Sequence, residues 1–213
     1  MKVAVAFAVL AAGMAWGATP QLTFTKSFPG SSPAYVCVMI DRDGGLQYKE
    51  SKTDDQPLKA RLKEADSAVL FAMADKLDHF KTALESGLNV ANTGKKTFRY
   101  EDENGAVSEV TFNYSQNETA RQLLDRFEQI AATERAYIDL DRTMHFDKLG
   151  VNDSLAAIEA LWVRKELATP EQFLPLLTRI SAHESFMHLV RERAARLKDE
   201  FLAGPVAGAS GEK

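Results

Sequence analysis

His183-Glu184-Ser185-Phe186-Met187-His188 has the residue types of a zinc-protease helix without its spacing. Metal-binding histidines on one helix face sit at i and i+4. At about 100° per residue, i and i+5 lie roughly 140° apart and cannot converge on one ion. The other two histidines, His79 and His145, are remote in sequence, so no metal is expected. Asp41-Arg42-Asp43-Gly44 shares a fragment with calcium loops but lacks the third acid and the later bidentate Glu, and reads as a hairpin turn. Gly87 to Thr97 has the flavour of a phosphate loop, yet its glycine spacing is wrong and Lys96 stands where Ser or Thr is required. No serine lies in a Gly-x-Ser-x-Gly context. The carboxylate pair of a glycosidase is remote in sequence by nature. A cell-envelope hydrolase whose acids meet only in the fold is therefore the alternative to a non-catalytic chain. The preferred reading is non-catalytic, with no catalytic residue and no cofactor.

One segment stands out as a binding element. Lys81 to Lys95 is a connection of about 15 residues, long for a compact domain, and such loops often carry function. Asn89, Asn92, Lys95, Lys96 and Arg99 are its expected ligand contacts, with Leu84, Leu88 and Val90 available as apolar anchors. The Asn113-Tyr-Ser115, Asn117-Glu-Thr119 and Asn152-Asp-Ser154 triplets read as a strand end and helix caps. Arg191, Arg193, Arg196 and Lys198 alternate with Glu192, Asp199 and Glu200, as on a solvated helix face.

Elements that would position these residues follow from periodicity. Gln21 to Ser27 alternates as a strand, and Phe28 to Pro33 is a breaker-rich loop. Tyr35 to Ile40 is apolar on both alternating sets, which predicts a central strand covered on both faces. The helix over about 64–78 would cover one side, and the long helix or the helices after 150 the other. Leu46 to Lys49 and Leu58 to Leu62 are further short strands. Phe98 and Tyr100 face Val110, Phe112 and Tyr114 across Glu103-Asn104-Gly105. A two-residue Asn-Gly turn would split these apolar residues between faces. A three-residue loop with Gly105 left-handed pairs Phe98 with Val110 and puts all five on one face, and is the predicted register.

Helical period resumes over 118–146, capped by Asn117. A further helix is predicted over Ser154–Leu167. Thr169-Pro170-Glu171-Gln172 has capping-box order and opens a helix that Pro175 should kink or shorten. The last helix is expected over 184–202, with Phe186, Leu189, Leu197 and Phe201 as its apolar stripe. The fold class is α+β: an antiparallel sheet of two hairpins packed with helices over 18–146, an all-helical extension of three helices over 147–203, and a disordered tail over 204–213.

The N-terminus predicts location. Lys2, the apolar run from Val3, and Ala15-Trp16-Gly17 form a secretory signal peptide with cleavage expected after Gly17. Val3 to Trp16 is shorter than the roughly 20 residues of a membrane-spanning helix, so no span is expected to remain after cleavage. The expected location is periplasmic or secreted. The 213 residues carry a formal net charge of −4 with no dense basic face, which disfavours nucleic acid as a partner. An envelope protein or a small ligand is the expected partner. Cys37 is the sole cysteine and sits in an apolar strand, as a small buried hydrophobe.

The Phe28-Pro29-Gly30 loop, Pro33-Ala34-Tyr35 entering an apolar strand, the Asp43-Gly44 turn, Leu77 and Phe80 at a helix end, and a hairpin followed by a helix make one set. Over residues 28 to about 138 the chain thereby resembles an uncharacterised family of bacterial exported domains of unknown function. Members typically open with a Cys-Phe…Cys-Pro-x-Tyr pattern. Ser27 and Ser32 lie near those cysteine positions here, so no disulfide or thiol role carries over. The resemblance implies an exported bacterial domain and no known activity.

Overall fold

The computed structural model describes residues 19–204. The expected signal peptide and the tail beyond Gly204 lie outside the described residues. Six antiparallel strands form one sheet: β1 (Gln21–Ser27), β2 (Tyr35–Asp41), β3 (Gly45–Lys49), β4 (Leu58–Arg61), β5 (Lys95–Glu101) and β6 (Val107–Phe112), in the order β4-β3-β2-β1-β5-β6. The first four run as a meander, and the β5–β6 hairpin joins the free side of β1.

Register places the buried side chains of the first core on one face of the sheet. Phe24 lies between Val38 and Phe98, and Leu22 between Ile40 and Tyr100. That face is covered by α1 (Glu64–Lys76) and the first half of α2 (Glu118–Phe146). Phe127 of α2 stacks on Phe24 at 5.2 Å, and Phe98 touches Phe80 and Phe112 at 5.3 and 5.1 Å between ring centroids. Each such side chain contributes about 1.5–3 kcal/mol on burial.

Thr23, Thr25, Gln47, Thr97, Arg99, Glu109 and Thr111 occupy the opposite face, giving the in-out alternation of a one-sided antiparallel sheet. The expectation that helices sandwich β2 is corrected here. Both α1 and α2 pack on the same side, and the later helices build a core of their own. Tyr35, Cys37 and Met39 point to the polar face. Lys52, from the β3–β4 loop, brings its ammonium over the Tyr35 ring at 5.5 Å, and Cys37 is buried.

The β5–β6 hairpin has the three-residue loop. Phe98 faces Val110, Tyr100 faces Ser108, the Asp102 N–H donates to the Ala106 carbonyl, and Gly105 has φ +79°. Burial of one face overrides the local Asn-Gly preference.

The second half of α2 belongs to a second core, with α3 (Val151–Val163), a 3₁₀ turn at Pro170–Phe173, α4 (Leu174–Ala182) and α5 (His188–Ala203). Pro175 sits in the first turn of α4, where its missing N–H costs nothing, so the helix opened by Pro170 divides there. The last helix starts later than expected. Residues 183–187 form a turn in which the Phe186 N–H donates to the His183 carbonyl and His183 Nδ1 accepts from the Ser185 N–H. Its buried stripe is Val190, Ala194, Leu197 and Phe201, while Leu189 is exposed. The arginines of α5 are not simply solvated either. Arg193 and Arg196 converge on Glu159 of α3 at 3.5 and 2.6 Å, fastening the two helices together.

Candidate functional site

The residues singled out in the long connection do not converge. Lys95 and Arg99 share the polar face of β5, and Arg99 pairs with Glu101 at 2.7 Å. Asn89 is exposed in the loop, and the Asn92 side-chain oxygen accepts from the Gly94 N–H. Lys96 faces the other way and is only 4% exposed. Its ammonium donates to Thr93 Oγ1, the Gly94 carbonyl and the Asn113 carbonyl at 2.7, 3.2 and 2.7 Å. Burial first, and Lys26 second, push its pKa down from the ordinary lysine value. Asn113 holds the loop further, accepting from the Thr93 N–H and donating to the Ala91 carbonyl and to Glu85. Lys96 and Asn113 thus act as a knot between the loop and the hairpin.

Before that loop, Asp78, His79 and Phe80 adopt φ of +50°, +50° and +66° in succession. Left-handed backbone costs an L-residue about 1–2 kcal/mol. The turn is held by its neighbours: His79 Nε2 contacts Asp75 Oδ1 at 2.8 Å, its ring lies 4.2 Å from that of Tyr100, and the Ser108 hydroxyl donates to its carbonyl. Ser108 is thereby engaged by backbone and not by the imidazole, so the group lacks the nucleophile–base contact of acyl transfer.

Of several clefts along α2, two hold candidate chemistry. One, of about 600 Å³, lies at its N-terminal end and is lined by Lys26, Lys96, Glu118, Arg121, Asp125 and Glu128. Glu128 accepts from Lys26 at 2.7 Å, and Glu118 is paired with Arg121. The Arg121 guanidinium holds the Glu118 carboxyl below the usual carboxylate range. A general acid requires the opposite shift.

The other cleft, of about 430 Å³, opens where the two cores meet. Leu62, Val69, Leu70, Ile130, Trp162 and Leu167 form its apolar lining, and Lys63, Asp66, Arg126 and Lys165 stand around it. Trp162 is backed by Phe201 at 4.9 Å, which fixes its ring as a wall. Lys165 has φ +59° and its N–H donates to the Trp162 carbonyl, a helix end of the type usually given to Gly. This reversal sends residues 166–170 back across α2.

Two buried residues of α2 hold that return strand of chain. Thr133 Oγ1 accepts from the Ala168 N–H at 3.0 Å while donating to the Gln129 carbonyl. Glu134 Oε1 accepts from Thr169 Oγ1 at 3.2 Å and Gln172 Nε2 at 3.0 Å. Thr169 and Gln172, read from sequence as a capping box, are instead turned onto this carboxyl, and Thr169 makes no cap bond. Glu134 Oε2 is buried with no hydrogen-bond partner among the described residues. Burial lifts the Glu134 pKa to about 7, against the lowering effect of the Gln172 and Thr169 bonds. Exposed Lys63 and Glu171 add an ion pair at 2.8 Å across the same junction.

Sequence reasoning missed this cleft. Its one local signal was the run of apolar and small residues Leu161, Trp162, Leu167 and Ala168 around a helix end. Among the described residues there is no group of three or more His, Cys, Asp or Glu placed to hold a metal ion, and no helix long and apolar enough to cross a membrane. No protein-family model matches the chain, and comparison with curated proteins and with solved structures finds no match either. No family model supports the resemblance read over residues 28–138.

Proposed function

We propose that this chain is an exported, non-catalytic binding module, periplasmic or secreted, and that the cleft between its two cores is its ligand site. The observation that carries the reading is the cleft itself: concave, apolar-walled, about 430 Å³, at the junction of two separately packed units. Small-ligand sites favour such junctions and fall in the range of roughly 300–1,000 Å³. The backing of Trp162 by Phe201 and the clamp on residues 168–172 supply a preformed wall, which lowers the cost of binding. Hydrolysis is the weaker reading, because Glu118 and Glu128 in the polar cleft are each tied to a cation. Export is supported by the Lys2-to-Gly17 pattern.

A thermal-denaturation screen of the purified chain against small apolar and amphipathic compounds tests the site. At least one compound class is expected to raise Tm, and Val69→Phe, which fills the cleft from an exposed helix position, is expected to abolish the rise. A shift that persists in Val69→Phe places binding elsewhere. Fractionation tests export: the mature chain should begin at Ala18 outside the cytoplasm, and an uncut chain in the cytosol would refute it.

A further inference from the structure

We infer that the junction cleft takes an amphipathic anion, an apolar body ending in a single acidic head. The inference rests on the reading of that cleft as the ligand site and adds the chemistry of the occupant. Leu62, Val69, Leu70, Ile130, Trp162 and Leu167 make most of the lining apolar, with Gln129 its one uncharged polar side chain, so the body of the ligand is hydrocarbon. The sign of the charged side chains in the lining runs against that of the chain. The protein carries a net charge of −4, yet the cleft is flanked by Lys63, Arg126 and Lys165 against the single acid Asp66.

Of these cations, Lys63 is already engaged by Glu171 at 2.8 Å. Arg126 and Lys165 have no acidic partner within 4.0 Å among the described residues, and the nearest polar contact of Arg126 is a long one, 3.5 Å, to Gln129. They stand on different segments, α2 and the reversal after α3, on the walls of one cleft. The left-handed backbone at Lys165 is what brings that lysine there. A head group with one negative charge is attracted by both, while a neutral or cationic head is not. The apolar body gives affinity and the head gives orientation.

The test uses the mature chain beginning at Ala18, in which Trp162 is the only indole. Its emission is followed during titration with octanoate, decanoate and dodecanoate, and with 1-decanol and decyltrimethylammonium. A saturable change is expected for the carboxylates, tightening about fourfold per added methylene until the cleft is full. Decanol and the ammonium compound are expected to bind about tenfold more weakly than decanoate. Arg126→Gln and Lys165→Gln should each weaken decanoate by about threefold to fivefold and leave decanol unchanged. Decanol binding as tightly as decanoate, or charge variants that bind decanoate like the parent, would overturn the anionic head while the cleft assignment stands. No saturable response to any amphiphile, with Val69→Phe indistinguishable from the parent, overturns the occupant and the site together.

Discussion

Glu134 is an acid placed where an acid is costly. It is fully buried at the middle of α2, and one carboxyl oxygen has two donors while the other has none among the described residues. Its folded-state pKa of about 7 lies above the ~4.3 of an unfolded glutamate. The folded chain therefore holds the proton more tightly than the unfolded one. That contribution to stability is complete below about pH 4 and is lost as pH rises through 7. Glu134→Gln mimics the protonated acid and keeps an acceptor for Thr169 and Gln172. Between pH 5 and pH 8 the parent should lose on the order of 2 kcal/mol relative to this variant, read from urea midpoints at the two pH values. Parallel behaviour of the two proteins would show that the carboxyl is solvated in solution. The same residue fastens the segment that walls the cleft, so the strength of the clamp and the state of one proton are linked.

At the scale of elements, α5 offers a sharp contrast. Leu197 is fully buried in the second core, whereas the neighbouring candidate Leu189 is 63% exposed. Leu197→Ala should cost about 2–5 kcal/mol, and Leu189→Ala no more than about 0.5 kcal/mol, by chemical denaturation. Equal effects would mean that the helix is rotated from the described register. Of the expected stripe Phe186, Leu197 and Phe201 are buried and only Leu189 is not, and the helix begins at His188 instead of Glu184 because the turn over 183–187 depends on a His183 side-chain contact that periodicity does not report. The β5–β6 register, by contrast, was legible. Phe98, Tyr100, Val110 and Phe112 admit one pairing that keeps them together, and that pairing is the one formed, while Tyr114, expected on the same face, lies beyond the end of β6 and is 37% exposed. The extent of α2, with Asn117 accepting from the Ala120 N–H, was legible for the same kind of reason, a cap followed by an uninterrupted period. The junction cleft was not, because its walls come from residues 62–70, 126–130 and 162–170. Each segment alone looks like ordinary core. Only the fold brings them together, and the lysine that reverses the chain at 165 occupies a backbone state that its residue type does not announce.

For the whole molecule, α2 is the shared component. Its 29 residues span about 44 Å at ~1.5 Å per residue, with Leu123, Phe127 and Ile130 in one core and Leu140 and Met144 in the other. The turn that follows it is a surface feature: Leu149 is 77% exposed, and the Gly150 N–H returns to Asp147. A break in the polypeptide between Lys148 and Leu149 would leave the rod whole, still presenting half of an oily seam for the missing helices. Two fragments divided there are therefore expected to find each other when co-expressed and to co-purify as one particle. A division at Arg135, through the rod, should yield pieces that stay apart. The gene could accordingly be split, permuted or given an insert at that one corner, and a reporter halved across it would read out whether the two cores have met.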